Sequence, residues 1–290
     1  MKKKVALVLS GGGARGLAHI GVIEELERNG YEITSIAGTS MGSVVGGVYA
    51  VGKLEEFKDW MLSLDRKKVF SLLDFKLSRQ GLVKGDKVFN AMKEFIPDRD
   101  IEDLDIPYAA VAVDLNRMEE VVFRSGSLYE AMRASVSIPT VLTPVEKGDA
   151  LLVDGGVMNN IPVDVVERRK RDRLIVVNVN ANIPKPDLKK SKKEIKEKAN
   201  IYNRKVKEFT DHLKKVLPEK DDNDLGYFEL ISKTISSMIY HNAQTNLEQY
   251  RPDILIEVSR NSCNTYDFYK SEELVEYGRL AAELALNKYK

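Results

Sequence analysis

The sequence contains few of the residues that define several classes of protein. Its 290 residues include one cysteine, Cys263, and three histidines. One cysteine excludes an intramolecular disulfide and provides no cysteine cluster for a metal. No apolar run approaches the roughly 18 residues of a membrane-spanning helix. We therefore expect a chain that folds in water, in a reducing compartment such as the cytoplasm, without metal or cofactor.

The overall charge is nearly balanced, but its distribution is uneven. The chain has 45 Lys and Arg against 44 Asp and Glu, whereas residues 185–216 alone carry 12 Lys and Arg against 5 Asp and Glu. Apolar residues in that stretch recur every three or four positions, which predicts one face of a helix. A second helix is predicted over about 225–249. The two would form a charged helical hairpin, inserted in the main domain or capping it.

The basic helix, residues 189–216, has two interpretations. It could make a peripheral contact with an anionic membrane, to which each Lys near the surface contributes about 1 kcal/mol. It could instead pack against its hairpin partner or a second copy of itself, since its spacing also suits helix pairing. The oligomeric state stays open. Basic and aromatic residues do not alternate in a pattern that indicates nucleic-acid binding.

Alternating strand and helix patterns predict an α/β fold. Residues 5–9 and 33–37 are continuous apolar runs, typical of strands buried in a parallel sheet. Helical patterns follow them at 14–28 and 41–51. Further strands are predicted at 108–114, 119–123, 151–153, 174–179 and 254–258, with a closing amphipathic helix at 272–289. We expect a single domain over 1–290, a three-layer sandwich with a mostly parallel central sheet, in which 185–249 is a helical insertion.

A candidate nucleophile follows the second predicted strand. The pentapeptide Gly38-Thr39-Ser40-Met41-Gly42 has the G-x-S-x-G pattern. In hydrolases this pattern forms a sharp strand-to-helix turn that exposes the serine oxygen. Ser40 is therefore the candidate nucleophile.

The glycine-rich loop after the first strand has two interpretations. Gly11-Gly12-Gly13-Ala14-Arg15-Gly16 matches the G-x-G-x-x-G pattern of dinucleotide-binding loops. That function needs an acidic residue at the end of the second strand, but Glu32 stands at its start. Alternatively, the backbone N–H groups of the loop form an oxyanion hole facing Ser40, because loops after parallel strands open at the same sheet edge.

No histidine stands where a Ser-Asp-His triad needs one. His19 falls on the first predicted helix, near its inner face, and His212 and His241 fall in the charged hairpin. Asp154 is a better candidate base, because it ends a short apolar strand and precedes Gly155-Gly156. Taken alone, Asp-Gly-Gly is also an ordinary turn.

The three motifs, in this order over residues 10–156, resemble those of the patatin-like phospholipases. Arg133-Ala134-Ser135 and Ile138-Pro139 are also similar to that family, while Thr140 and Leu142 differ from it. The resemblance implies a lipid acyl hydrolase that uses a Ser-Asp dyad without histidine and passes through an acyl-serine intermediate. The alternatives are a lipid-sensing module with little turnover and a nucleotide-binding protein.

The resemblance also assigns roles to individual residues. It implies Ser40 as the nucleophile and Asp154 as its base. The remaining implied residues are the oxyanion loop and its neighbours, Gly11, Gly12, Gly13, Arg15, Gly16 and Met41, and the turn glycines Gly38, Gly42, Gly155 and Gly156. The substrate would be a phospholipid or lysophospholipid ester. Residues 69–75 are predicted either to line a groove for its acyl chain or to pack on the core.

Overall fold

The computed structural model describes residues 3–72, 84–139, 141–186, 188 and 227–289. Contacts divide the chain into two compact units, one of Met1–Pro186 with Thr234–Lys290 and the other of Asp187–Lys233. All strands described below belong to the first unit. The predicted basic helix, 189–216, lies outside the described residues, so the charged hairpin stays a prediction. Among the described helices, none is both long enough and apolar enough to cross a bilayer.

The strands form one mixed sheet, which confirms the predicted mostly parallel arrangement. Within the described residues it contains β1 (Lys3–Leu9), β2 (Tyr31–Thr39), β3 (Tyr108–Asp114), β4 (Glu119–Phe123), β5 (Val145–Lys147), β6 (Ala150–Asp154), β7 (Arg173–Ala181) and β8 (Ile254–Ser259). The five strands β3-β2-β1-β7-β8 run parallel in that order. Strands β4 and β6 pair antiparallel with β3, and β5 pairs antiparallel with β6.

The helices of the described residues connect and flank these strands. They are α1 (Ala18–Arg28), α2 (Met41–Ala50), α3 (Leu54–Ser63), α4 (Arg66–Leu72), α5 (Asp86–Lys93), α6 (Leu128–Ser135), α7 (Tyr227–Tyr250) and α8 (Ser271–Asn287). The predicted α-helical start at 14 is wrong, because a 3₁₀ turn over Gly13–Leu17 precedes α1. Gly13 has a φ of 56°, outside the range of an α-helix. The next residue, Ala14, donates its N–H to Thr265 O (2.8 Å), so a contact from outside the helix shapes this turn.

Helices cover both faces of the sheet, as predicted. Side chains alternate along a strand, so neighbours on β1 point to opposite layers. Leu9 of β1 approaches α2 at Gly46, and α1 contacts both α2 and α8. Val8, the preceding residue, lies in a core cluster with Ile161 and with Ala243 of α7. The sheet is therefore the middle of three layers.

The ends of the central strands bring the sequence motifs together. In the parallel ladder Leu9 pairs with both Gly38 and Val177, so β1, β2 and β7 end at one edge. Strand β6 runs the opposite way. Its last residue, Asp154, pairs with Ala112, next to Val111, which pairs with Thr39 at the end of β2. Asp154 therefore lies at the same sheet edge as Ser40, although its strand runs antiparallel to β3.

Candidate active site

Ser40 occupies a strained turn between β2 and α2. Its backbone has a φ of 53° and a ψ of −129°, a conformation that non-glycine residues rarely adopt. Ser40 N–H donates to Ser135 Oγ (2.8 Å), which itself donates to Val111 O (2.6 Å). Ser40 O accepts from Ser43 Oγ (2.6 Å). These bonds hold the strained conformation, as expected for a residue whose position is specified by its surroundings.

The spacing of the G-x-S-x-G pattern follows from backbone packing around this turn. A Cβ on residue 38 would lie 2.5 Å from the carbonyl carbon of Gly42. A Cβ on residue 42 would overlap the carbonyl oxygen of Leu9. Both positions therefore require glycine, because backbone atoms of β1 and α2 cannot move aside as a flexible side chain could.

Asp154 lies beside Ser40 and is almost completely buried. Its side chain accepts a hydrogen bond from Gly156 N–H (2.7 Å), and the neighbouring Ser40 hydroxyl also stabilises the carboxylate. Burial raises the pKa of Asp154 to about 6, and the interactions with Ser40 and Gly156 partly oppose that rise. At neutral pH the group is thus mainly a carboxylate, with a stronger affinity for a proton than an exposed aspartate has. Gly155 is packed so closely on Val111 O that a Cβ would overlap it.

The glycine loop contributes backbone donors, but not all the expected ones. Gly11 N–H donates to Asn160 O (3.1 Å), so the expectation that Gly11 provides a free oxyanion donor is wrong. The N–H groups of Gly12, Gly13 and Met41 bond to no acceptor in the part of the chain that the structure describes. Met41 also begins α2, where the helix dipole favours negative charge.

Arg15 connects the glycine loop to the neighbouring strand. Its Nε and Nη2 donate to Asn180 Oδ1 (3.1 and 2.8 Å), and Asn180 Nδ2 donates to Gly11 O (2.6 Å). Burial lowers the pKa of the Arg15 guanidinium. On the other side of the loop, Gly16 approaches Met41 so closely that a Cβ would lie 2.5 Å from the Met41 Cβ. The loop is therefore held between β7 and α2.

The histidines described by the structure do not contact the Ser40–Asp154 pair. His19 is fully buried on α1, with Nε2 2.9 Å from Ser10 O. Burial lowers its pKa to about 4, so the ring is neutral and donates this bond. His241 lies on α7 and bonds to neither Ser40 nor Asp154, and His212 is outside the described residues.

An apolar cavity of about 140 Å³ opens beside Ser40. Side chains from α2 to α5 line it, together with parts of the segments 136–142 and 265–268. Of the predicted segment 69–75, Val69 and Leu72 line the cavity, whereas 73–75 lie outside the described residues. Gly13, Ser40 and Met41 also line this cavity, so the serine turn and the glycine loop border an apolar space.

The end of β2 does not fit the dinucleotide-binding alternative. The strand ends at Thr39, whose hydroxyl donates to Asn159 O (2.8 Å). Glu32 is the second residue of the strand, at the opposite end from the glycine loop. Strand β2 therefore ends without the acidic residue that would bind a ribose.

Three polar residues at this site were missed or given no role by sequence reasoning. Ser135 supports the serine turn, and Asn160 and Asn180 support the glycine loop. Asn180 lies near the end of β7, so a search for polar residues at the ends of parallel strands would have found it. Asn160 follows Asp154 by six residues, but nothing in its local sequence distinguishes it from the adjacent Asn159.

Comparison with known proteins places these motifs in one family. Residues 7–166 match the sequence model described as patatin-like phospholipase. An uncharacterised NTE family protein of Mycobacterium tuberculosis is 33% identical over 331 aligned positions, which cover 99% of this chain and 92% of that protein. Patatin-like phospholipase domain-containing protein 6 of Mus musculus is 33% identical over 184 positions, 61% of this chain and 14% of that protein. The crystal structure of VipD from Legionella pneumophila aligns with a TM-score of 0.49 and 16% identity, over 99% of this chain and 67% of that one.

Proposed function

Because this chain belongs to the patatin-like phospholipase family, we propose that it hydrolyses carboxylic esters of phospholipids or lysophospholipids with a Ser40–Asp154 dyad. Membership of the family supports lipid acyl hydrolysis as the general activity. One observation carries the finer proposal: a serine held in a strained turn lies beside a buried carboxylate, which its hydroxyl stabilises. This pair lies next to an apolar cavity.

In the acylation step, Asp154 accepts the proton of Ser40 while Oγ attacks the ester carbonyl carbon. The carbonyl oxygen becomes an oxyanion, for which the N–H groups of Gly12, Gly13 and Met41 are the candidate donors. When the tetrahedral intermediate collapses, the carbon–oxygen bond to the alcohol breaks. Asp154 then gives its proton to the departing alcohol, leaving an acyl group on Ser40.

In the deacylation step, water replaces Ser40 as the nucleophile. Its oxygen attacks the acyl carbon, and Asp154 accepts one of its protons. The bond between the acyl carbon and Ser40 Oγ then breaks, and Asp154 returns the proton to Oγ. A free fatty acid leaves, and the dyad is restored.

The raised pKa of Asp154 suits both steps. An ordinary carboxylate is a weak base toward a serine hydroxyl, and catalysis improves as the pKa of the base approaches the working pH. A pKa of about 6 leaves the group ionised at neutral pH but increases its affinity for the transferred proton. A histidine is then not required.

The apolar cavity is proposed to hold the acyl chain. Its lining contains Phe57, Trp60 and Phe89 as well as Ser40. Apolar burial contributes about 0.8 kcal/mol for each methylene group removed from water. The cavity therefore favours a fatty acyl ester over an ester of a small polar acid.

The remaining expectations concern the whole chain. We propose that one domain spans residues 1–290, with 185–249 as an insertion, and that the protein acts in the cytoplasm.

The basic stretch 189–216 is proposed to contact anionic lipid. Co-sedimentation with anionic liposomes at low and high salt tests this contact, because electrostatic binding weakens with ionic strength. Absence of binding at low salt would contradict it.

A product assay tests the proposed function. Wild-type protein and Ser40→Ala are incubated with phospholipids, lysophospholipids and p-nitrophenyl esters, and released fatty acid is measured. We expect release by the wild type and almost none by the variant. Fatty acid release by Ser40→Ala near the wild-type rate would refute the mechanism. Saturable lipid binding without release by either protein would instead indicate a lipid-sensing module.

A further inference from the structure

The side chain of Asn160 is buried beside the dyad without a hydrogen bond. It is 2% exposed, its Nδ2 is buried without a hydrogen-bond partner among the described residues, and no described residue donates a hydrogen bond to its Oδ1. Leaving a buried amide unpaired costs about 1–3 kcal/mol. Such a group in a folded protein calls for an explanation, and its position suggests a ligand of the active site.

The position of Asn160 is fixed from three sides. Its carbonyl oxygen accepts the Gly11 N–H of the glycine loop (3.1 Å). The preceding carbonyl, of Asn159, accepts the Thr39 hydroxyl next to Ser40 (2.8 Å). The following carbonyl, of Ile161, accepts Asn246 Nδ2 of α7 (3.2 Å). These three bonds hold the backbone of residues 159–161. They therefore fix the point from which the unpaired side-chain amide of Asn160 projects.

The amide oxygen borders the space between the nucleophile and the base. A Cβ on residue 11 would lie 2.5 Å from Asn160 Oδ1 and 3.1 Å from Ser40 Cβ. A Cβ on residue 156 would lie 3.0 Å from Asn160 Oδ1 and 3.0 Å from Asp154 Oδ1. Because residues 11 and 156 are glycines, no side chain separates Asn160 Oδ1 from Ser40 or from Asp154.

We propose that Asn160 and Asp154 together position the water that hydrolyses the acyl-serine intermediate, an inference that rests on the proposed function. The water donates one O–H to Asp154 Oδ1 and the other to Asn160 Oδ1, which directs an oxygen lone pair toward the acyl carbon. As the oxygen–carbon bond forms, the first proton moves to Asp154. The carbon–Oγ bond then breaks, and that proton passes to Ser40 Oγ.

This assignment makes the two chemical steps respond differently to the loss of Asn160. In acylation the nucleophile is Ser40 Oγ, which the serine turn holds beside Asp154, so it needs no further orientation. In deacylation the nucleophile is a free water molecule, for which orientation matters greatly. A purely structural role would instead disturb the glycine loop and Asp154 together and slow both steps.

Pre-steady-state hydrolysis of p-nitrophenyl butyrate by the full-length protein separates the steps. Nitrophenol appears in a burst as Ser40 is acylated, then at the slower rate of deacylation. For Asn160→Ala we expect a burst rate within about threefold of wild type and a steady-state rate lowered roughly 10- to 100-fold. Intact-mass spectrometry should then show the butyryl group retained on the protein.

A matched control is the same change at the adjacent residue. Asn159 is also buried, but its side chain donates to Asp164 Oδ1 (2.9 Å) and accepts from Asn246 (3.0 Å). Asn159→Ala should lower the unfolding temperature and leave the ratio of burst to steady-state rate unchanged. Asn160→Ser, which restores an oxygen acceptor, should recover part of the deacylation rate. It also provides the comparison if Asn160→Ala fails to fold.

Two results would overturn the assignment of Asn160. One is an equal loss of burst and steady-state rates in folded Asn160→Ala and Asn160→Ser. The other is an unchanged steady-state rate in folded Asn160→Ala, measured where deacylation limits the wild type. These results differ from those expected if the proposed function itself were wrong. In that case the wild type would give neither a Ser40-dependent nitrophenol release nor an acyl adduct.

Discussion

The carboxyl edge of the sheet and the apolar cavity meet at Ser40 but are built in different ways. At the edge, the geometry depends on backbone atoms: Gly38 and Gly42 allow close packing, and Ser40 is held by hydrogen bonds to its main chain. The cavity is instead lined by apolar side chains such as Val44, Trp60 and Val141. At the edge, added side-chain atoms would overlap backbone atoms. In the cavity, one lining side chain can be replaced without displacing the backbone.

This difference separates the chemistry from the choice of substrate. Changes at the edge should abolish acyl transfer or folding, because they displace backbone groups that have no alternative position. Changes in the cavity should alter which acyl chain is accepted and leave the reaction itself intact.

The largest effect is expected for Ser40→Ala, which removes the nucleophile. Hydrolysis of a p-nitrophenyl ester should fall by roughly 10⁶-fold, as for removal of the serine in a serine protease. Ser35→Ala is the control: Ser35 is buried on the same strand, and its hydroxyl donates to Glu167 O, remote from the turn. Activity of the control should stay within a few-fold of wild type. Comparable losses in both variants would mean that the effect comes from folding.

Gly42→Ala should destabilise the protein more than any conservative change in the cavity. The added Cβ would overlap the carbonyl oxygen of Leu9, so β1 or α2 must shift. We expect a loss of at least about 3 kcal/mol, measured by urea unfolding. Gly30→Ala is the comparison, because no described residue beyond its chain neighbours lies within 4 Å of its added Cβ and only its φ of 76° is unfavourable. Equal costs would show that the edge is less tightly packed than described.

Asp154→Asn should stabilise the protein at neutral pH while removing the base. The pKa of Asp154 is raised from 3.8 to about 6, so the folded state binds this proton more tightly than the unfolded chain. Stability from this group is complete below about pH 4 and is lost as the pH rises through about 6. Asparagine cannot ionise, so the variant should gain up to about 3 kcal/mol over wild type by about pH 8.

Urea unfolding of the wild type and Asp154→Asn from about pH 4 to 8 measures this gain. The difference between the two proteins should grow with pH and level off above about pH 7. A difference that is constant over the whole range would show that Asp154 ionises at its ordinary pKa.

The smallest effect is expected in the cavity, for Val141→Phe. Val141 is half-buried in the lining, so the larger ring would shorten the space next to Ser40. The ratio of kcat/KM for a decanoyl over an acetyl p-nitrophenyl ester should fall about 10-fold, within the range for changes in an apolar pocket. Val121→Phe, at a half-buried position on β4 outside the cavity, should keep the wild-type ratio. Unchanged selectivity in Val141→Phe would mean that the acyl chain binds elsewhere.

The sequence predicted those parts of the site that depend on local patterns. The apolar run before Gly38 indicated β2, and the glycines around Ser40 indicated the turn. The helix after Ser40 also followed from local spacing, because small residues and a 3.6-residue period are visible within ten positions.

Features that depend on distant contacts could not be predicted in the same way. Strand β6 is antiparallel to β3, and its direction is set by pairing with a strand about 40 residues earlier. The Gly11 N–H is unavailable because it bonds to Asn160, nearly 150 residues away in sequence. The unpaired amide of Asn160 likewise becomes visible only when the glycine loop and Asp154 are placed around it.

Active-site labelling tests the Ser40–Asp154 dyad most directly. Wild-type protein and Asp154→Asn are treated with a fluorophosphonate, the labelled residue is identified by peptide mass spectrometry, and the rate of labelling is measured. We expect one label per chain, on Ser40, and a rate at least about 100-fold lower in Asp154→Asn, because the base is lost while the serine turn remains. A label on another residue, or equal labelling rates in the two proteins, would contradict the dyad.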